Sequence, residues 1–458
     1  MRLLTVVGLC AACFVPLAGA AEEDPLVQMV VDLVKDDDAE MRGVGFEQVR
    51  TQAPGEAATL AFAALLPELR PDAQAGLLAA LGERGDKVAR PAALQMLKGD
   101  HPVEVKVAAA GALSKLGSAD DVPRLVELLA EEDAALAAAA RQSLQRLLGE
   151  AVNAQIVRIW QEKEVSDETA VSLMELLAAR RAFDAMPALL DAAVSDSAAI
   201  RRAAMQALSD LAGPEQLPGM IQGALKAEPG REREAAEKAI AAVCERVDDP
   251  NARAAPLIKA IAAAPAESRL ALIPLLGRVG GPQARAVVEL ALRAPAAPFQ
   301  DQAVSALCNW PDASVAPRIL QLAKNHPDKG QRIAALRAVM RIAVLSDERT
   351  DEARLELLKK AMRLATRDED RKLAIDRARA VRTLASLNFV MERLDESALT
   401  EAVCWTIVEL AHHRELRNSD EARFHEALDK VLAVSKDPIT RERATKYKKG
   451  ETWSGKDR

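Results

Sequence analysis

Val105–Gly149 reads VKVAAAGALSKLGSADDVPRLVELLAEEDAALAAAARQSLQRLLG, and this stretch decides the fold. Val107, Ala110, Leu113 and Leu116 recur at helical spacing, then Val122, Leu125, Leu128 and Leu129, then Leu136, Ala140, Leu144 and Leu147. Apolar positions three and four apart predict three amphipathic helices. Gly117-Ser118 and Glu131–Asp133 supply the polar turns between them. The third helix restates the first, with Leu144 standing 31 residues after Leu113. A helix–turn–helix unit that repeats at such a period cannot bury its own apolar face and must stack on copies of itself.

The Leu113 position can be followed through the chain as Phe46, Leu81, Leu113, Leu144, Leu177, Leu208, Ile240, Leu276, Leu307 and Val339. Successive spacings are 35, 32, 31, 33, 31, 32, 36, 31 and 32 residues. Two further units fit with anchors at Leu384 and Ile407; the 45-residue gap before Leu384 admits an extra helix over Glu352–Thr366, and the 23-residue gap after it implies a shortened unit. Proline provides a second marker. Pro91, Pro123, Pro187, Pro218 and Pro317 each lie ten residues after an anchor, and Pro256 plays the same part after an insertion around Asp248-Asp249-Pro250. Proline fits the first helical turn, where its missing N–H would have no partner, so this offset marks the start of each second helix. First helices also open with basic residues and alanine clusters, as at Lys106, Arg201-Arg202 and Arg332. Their cations are expected to cover helix stems or meet acidic turns such as Asp196 and Asp328.

The pattern V-[RK]-x-x-A-x-x-A-L-x-x-L-G-x-x-x-x-V-P-x-L-x-x-L-L, matched by Val105–Leu129 and in part by Ile200–Leu225 and Asp328–Ile342, resembles HEAT repeats. It is most similar to the short bacterial HEAT-like repeats of the phycocyanobilin-lyase type. Leu384–Ala411 resembles the closing repeats of secreted HEAT-repeat proteins of planctomycete-like bacteria. The resemblance implies an all-α, right-handed α-solenoid of about twelve repeats over residues 21–435. It also implies a concave face lined by second helices such as Pro123–Ala130 and Pro187–Val194. Arg84 and Arg180 depart from the pattern where a second apolar anchor belongs, and the Phe46 unit lacks the proline.

The chain has 458 residues, of which 50% are hydrophobic, 28% charged and only 3% aromatic, so alanine and leucine must build the core. A net charge of −7 gives no support for general nucleic-acid binding, which wants a basic surface. The N-terminus MRLLTVVGLCAACFVPLAGA reads as a signal peptide over residues 1–20, with Arg2 as n-region, an apolar run from Leu3 to Val15 and cleavage after Ala20. The expected location is therefore exported, periplasmic or secreted, with no membrane span. Cys10, three residues before Cys13, stands where a lipobox wants leucine. Cleavage would leave Cys244, Cys308 and Cys404, an odd and widely spaced set that makes no disulfide framework. Asp24–Lys35 is expected to cap the N-terminal end. Residues 436–458 carry eight basic and four acidic side chains and read as a disordered basic tail, with Pro438 ending the last helix.

Little in the sequence points to chemistry. His101 and His326 precede prolines in turns. A metal site could be drawn from Glu409, His412 and His425 if their helices face one another, but no H-E-x-x-H or paired C-x-x-C supports one in the mature chain. Gly277, Gly280 and Gly281 fit a helix-ending turn without any phosphate loop. Asp120-Asp121 and Glu131-Glu132 read as solvated or capping groups, and Trp160, Trp310 and Trp405 as core or inter-repeat contacts. No catalytic, cofactor-binding or metal-binding residues are assigned, and no cofactor is expected. The expected function is a non-enzymatic scaffold for a protein or peptide partner. The alternatives are a self-associating envelope component, or an enzyme-like bilin lyase or chaperone of the kind the resemblance includes.

Overall fold

The computed structural model describes residues 25–162 and 165–453; the signal peptide assigned to residues 1–20 lies outside them. Among the described residues there are 27 α-helices and no strand, and the fold is an all-α solenoid. The chain divides into two compact units, Met1–Ala185 and Met186–Arg458.

The first unit opens with α1 (Pro25–Lys35), which covers the expected cap apart from Asp24, a residue outside those described. It continues with the pairs α2 (Ala39–Thr51) and α3 (Glu56–Ala64), α4 (Pro71–Arg84) and α5 (Arg90–Lys98), α6 (Val103–Leu116) and α7 (Val122–Glu127), and α8 (Ala134–Arg146) and α9 (Ala151–Glu162). It closes on α10 (Asp167–Ala179). The first helices α2, α4, α6, α8 and α10 pack on one another in sequence and form one layer, while α1 packs on α3 and α7 on α9 in the other.

The second unit opens with α11 (Met186–Ala192). Its pairs are α12 (Ala198–Leu211) and α13 (Leu217–Lys226), α14 (Arg231–Cys244) and α15 (Ala255–Ala263), α16 (Ala266–Val279) and α17 (Gly281–Leu292), and α18 (Ala297–Cys308) and α19 (Ala316–Asn325). Then come α20 (Lys329–Ala343) and α21 (Asp351–Leu364), α22 (Asp368–Ala378) and α23 (Leu384–Met391), and α24 (Thr400–His412), which is followed by the short α25 (Arg414–Ser419) and α26 (Glu421–Val434). The last helix is α27 (Pro438–Lys448). First helices α12 through α24 again pack in succession, and α27 adds to that row against α24.

Leu81, Leu113, Leu144, Leu177, Leu208, Ile240, Leu276, Leu307, Val339 and Ile407 are all at most 1% exposed, as the repeat register predicts. Because stability in such a stack sums over units and their interfaces, Leu113→Ala is expected to destabilise the first unit by about 2–5 kcal/mol. Hydrogen exchange should then rise in α4, α6 and α8 before α2 and α10. An exchange pattern matching the parent's would contradict that placement of Leu113.

Two anchors are corrected. Phe46 is half-buried, its ring lying over Gly76, and Val49, fully buried one turn later, fills the anchor position; the spacing to Leu81 becomes 32. Leu384 belongs to a second helix, α23, and the first helix of its unit is α22 with Ile375 fully buried. The expected extra helix over Glu352–Thr366 is α21, the second helix of the preceding unit. The irregular spacings of 45 and 23 residues thus become 36 and 32. The prolines hold their expected places: Pro91, Pro123, Pro218, Pro256 and Pro317 lie in the first turns of α5, α7, α13, α15 and α19, and Pro187 is the second residue of α11.

The tail is also corrected: residues 438–448 are not disordered but form α27. Pro438 starts this helix instead of ending the one before. Asp437 caps it, accepting from the Thr440 N–H at 2.7 Å. Thr440, Arg443, Ala444 and Tyr447 recur at helical spacing and are all buried, which gives the helix a packed face despite its charge.

The departures at Arg84 and Arg180 have a physical cause. The last carbonyls of an α-helix have no intrahelical donor, and a cation there also meets the negative end of the helix dipole. The Arg84 guanidinium donates to the carbonyls of Val49, Gln52 and Ala53 at the end of α2, and its Nε to Thr59 Oγ1 at 2.7 Å. Arg180 donates in the same way to the carbonyls of Leu144, Gln145 and Leu147 at the end of α8. Burial lowers the Arg180 pKa from its ordinary value. Arg341 repeats the arrangement in the second unit, on the carbonyls of Cys308 and Trp310.

Candidate binding face

The residues from which chemistry could have been built are engaged otherwise. Glu409 pairs with Arg443 at 2.7 Å and Arg379 at 3.7 Å. His412 Nδ1 meets the Tyr447 hydroxyl at 2.8 Å, and His425 faces Glu421, four residues before it on the same helix, at 3.7 Å. Glu409, His412 and His425 therefore do not converge, and among the described residues no group of three or more potential ligands could hold a metal ion. Burial pushes the thiols of Cys244 and Cys404 up to about 12 and that of Cys308 to about 11, away from the thiolate a nucleophile needs.

His326 Nδ1 accepts the Asp328 N–H at 3.2 Å, a turn contact. Asp121 is 2% exposed, accepts from Arg90 Nε and Nη2 and from the Ser118 N–H, and so works as a capping and inter-repeat group. Trp310 is fully buried and donates to Ser314 Oγ at 3.2 Å. Gly280 and Gly281 have φ of +70° and +84° at the junction of α16 and α17, the left-handed region that glycine enters at little cost. Gly277 lies inside α16, where an added Cβ would come within 2.0 Å of the Ala306 carbonyl oxygen of α18.

Charge is distributed unevenly between the layers. Arg201 and Arg332, at the starts of first helices, are consumed by the fold. Arg201 Nη1 donates to the Ser195 and Asp196 carbonyls at 2.9 and 2.8 Å, and its Nε and Nη2 to Glu232 of the next repeat at 2.8 and 3.0 Å. Arg332 donates to the His326 and Pro327 carbonyls. The carboxylates of Asp196 and Asp328 do not receive these arginines as expected: Asp196 pairs with Lys226, and Asp328 caps α20 through the Gln331 N–H. Backbone carbonyls of the turn are the nearer acceptors.

The second helices of the second unit differ. Lys259 on α15, Arg285 on α17, Lys324 on α19 and Lys360 and Arg363 on α21 are all exposed, and none has a carboxylate within ion-pair distance among the described residues. On those four helices Glu289 is paired with Arg318, Asp351 with Arg354 and Glu356 with Lys359, leaving Glu352 as their one carboxylate outside an ion pair. A chain that is acidic as a whole thus carries exposed cations outside ion pairs on these second helices, three of which, Lys324, Lys360 and Arg363, share one groove. Sequence reading missed them, because composition averages over both layers and pairing depends on contacts about one repeat apart.

Between α19 and α21 lies a groove of about 380 Å³, lined by Leu320, Gln321, Lys324, Asn325, Lys360, Arg363 and Leu364. Among the described residues no helix is long and apolar enough to cross a membrane.

Residues 60–145 match the family model for HEAT repeats. No curated protein matches the chain. Among solved structures it is similar to Kap121p, at 11% identity over 92% of this chain and 56% of that one, with a TM-score of 0.46. It is also similar to Kap95p in a structure with RanGDP, at 12% identity over 93% and 66% of the chains, with a TM-score of 0.45. Human deoxyhypusine hydroxylase aligns at 15% identity over 74% of this chain and 99% of its own, with a TM-score of 0.23. The chain spans about half the length of Kap121p.

Proposed function

The chain is a HEAT-repeat protein, and we propose that it is a non-catalytic scaffold that binds a protein partner through its second helices. The observation that supports this reading is the set of exposed cations outside ion pairs on these second helices, Lys259, Arg285, Lys324, Lys360 and Arg363, of which the last three share one groove. Stacked repeats offer extended surfaces for binding, and charges without partners on such a surface steer and orient an incoming chain. The proposal includes a place in the cell envelope or the secretome, the location expected from a signal peptide over residues 1–20. The buried Cys244 and Cys404, and His326, His412 and His425 held in structural contacts, favour binding over catalysis.

Crosslinking the chain in native envelope and secretome extracts, with mass-spectrometric mapping, tests the proposal. One recurrent partner joined to lysines of α15, α19 and α21 is the expected result. Crosslinks only between copies of the chain would overturn it in favour of a self-associating envelope component.

A further inference from the structure

The groove between α19 and α21 combines two chemistries. Leu320 and Lys324 lie four residues apart on α19, and Lys360 and Leu364 four apart on α21, so each helix sets a leucine beside a cation on one face. Leu320 and Leu364 are half-buried, while Lys324, Lys360 and Arg363 are exposed. Gln321 and Asn325 add amide donors and acceptors to the wall. The nearest acid on α21, Glu356, is held by Lys359 at 2.9 Å. Its carboxyl lies below the usual range chiefly through that hydrogen bond, with Arg363 and Lys360 adding to the effect. Three cations therefore surround an apolar floor, and none of them is ion-paired among the described residues.

Resting on the scaffold reading, we infer that this groove docks an acidic segment of the partner protein that carries an aliphatic side chain. The aliphatic group covers Leu320 and Leu364, and flanking carboxylates meet Lys324, Lys360 and Arg363. A volume of about 380 Å³ is at the small end of ligand sites and accommodates a side chain or two. Charge complementarity selects the acidic peptide. A single-stranded nucleic acid would want aromatic platforms for its bases, and this groove has none.

The test uses the full chain and a fluorescein-labelled peptide in which leucines are spaced through glutamates, followed by fluorescence anisotropy. Binding should weaken about tenfold or more in Lys360→Glu/Arg363→Glu, since two attractions become repulsions. It should weaken similarly when the peptide's leucines become serines or when Leu364→Ser is introduced, and should fall with added salt. Lys259→Glu on α15, outside the groove, should leave it unchanged. All these substitutions are at exposed or half-buried positions, and circular dichroism of each variant confirms that it folds. Equal binding by Lys360→Glu/Arg363→Glu overturns the inference. Equal binding of the serine peptide also overturns it, by reducing the groove to a plain basic surface, and so does tighter binding to phosphatidylglycerol vesicles or to a single-stranded oligonucleotide through the same cations.

The scaffold reading fails separately. A native partner crosslinked to α15 or α17, with a peptide indifferent to Lys360 and Arg363, would sink the groove and keep the scaffold. Crosslinks only between copies, with a peptide that still depends on those cations, would do the reverse.

Discussion

Arg201→Met is expected to destabilise the second unit by about 3–5 kcal/mol, because it leaves a buried carboxylate without its cation. The Arg201 and Glu232 side chains are 5% and 10% exposed and meet through two hydrogen bonds. The same guanidinium also satisfies the Ser195 and Asp196 carbonyls, so its loss strands acceptors as well. Disruption should begin at α12 and α14, which this pair joins, and hydrogen exchange there should rise before exchange in α20 to α24. Protection of α12 and α14 equal to the parent's would refute the argument. Adding Glu232→Leu should recover most of the loss, since an apolar pair of similar volume asks for no charge in the interior.

The pair also sets a pH dependence. Arg201 holds the Glu232 carboxyl below its usual range, chiefly through the side-chain hydrogen bond. The pKa in the folded state is therefore lower than in the unfolded state. The stabilisation is fully present above the ordinary glutamate value of about 4.3 and is lost as pH falls through the lower folded value. In Arg201→Met this acid-sensitive increment should disappear from the pH profile of the melting temperature.

Why the sequence discloses some of this and conceals the rest follows from which interactions leave a periodic trace. Leu81 through Val339 were legible because a buried leucine recurs wherever one first helix stacks on the next. The slip at Phe46 arose because two apolar residues, Phe46 and Val49, lie one turn apart on α2, and only packing over Gly76 separates their roles. Ile375 was hidden by α22, whose sequence DEDRKLAIDRA is mostly charged. Its Asp370 is nevertheless 2% exposed in side chain, held by Arg337 at 2.8 Å. The Arg84 and Arg180 contacts were illegible for a different reason. Their acceptors are main-chain carbonyls, which every residue carries alike. The unpaired cations on α15 to α21 were invisible because a lysine in the sequence does not reveal whether a glutamate one repeat away will reach it. The chemistry that seemed drawable from Glu409, His412 and His425 dissolved because a helix read as a solvated tail supplies the groups that bind Glu409 and His412.

That helix carries the last expectation. Tyr447→Ala should destabilise the C-terminal end of the stack by about 3–5 kcal/mol, the usual range for truncating a buried aromatic. Tyr447, the chain's only tyrosine, is 1% exposed. Its hydroxyl meets His412 Nδ1 at 2.8 Å and accepts from Arg443 Nε and Nη2 at 3.3 and 3.2 Å. The Arg417 guanidinium lies 5.3 Å from the ring centroid. Arg443 is itself sandwiched, 5.0 Å from the rings of both Trp405 and Trp453, while it pairs with Glu409. Removing the ring opens a cavity and also takes away a wall of the site that lets Arg443 remain buried. Tyr447→Phe separates the two effects: it keeps the ring and should lose only the hydroxyl contacts, about 1 kcal/mol. Limited trypsinolysis reads the result directly, because Arg441, Arg443, Lys446, Lys448 and Lys449 lie on or beside α27. Cleavage there should be fast in Tyr447→Ala, slow in Tyr447→Phe and slowest in the parent. Equally fast cleavage of all three would mean that α27 does not close the row of first helices, and the exposed end of α24 would then need another cover, because Val403, Cys404, Ile407, Leu410 and Ala411 are fully buried only with the surrounding helices in place.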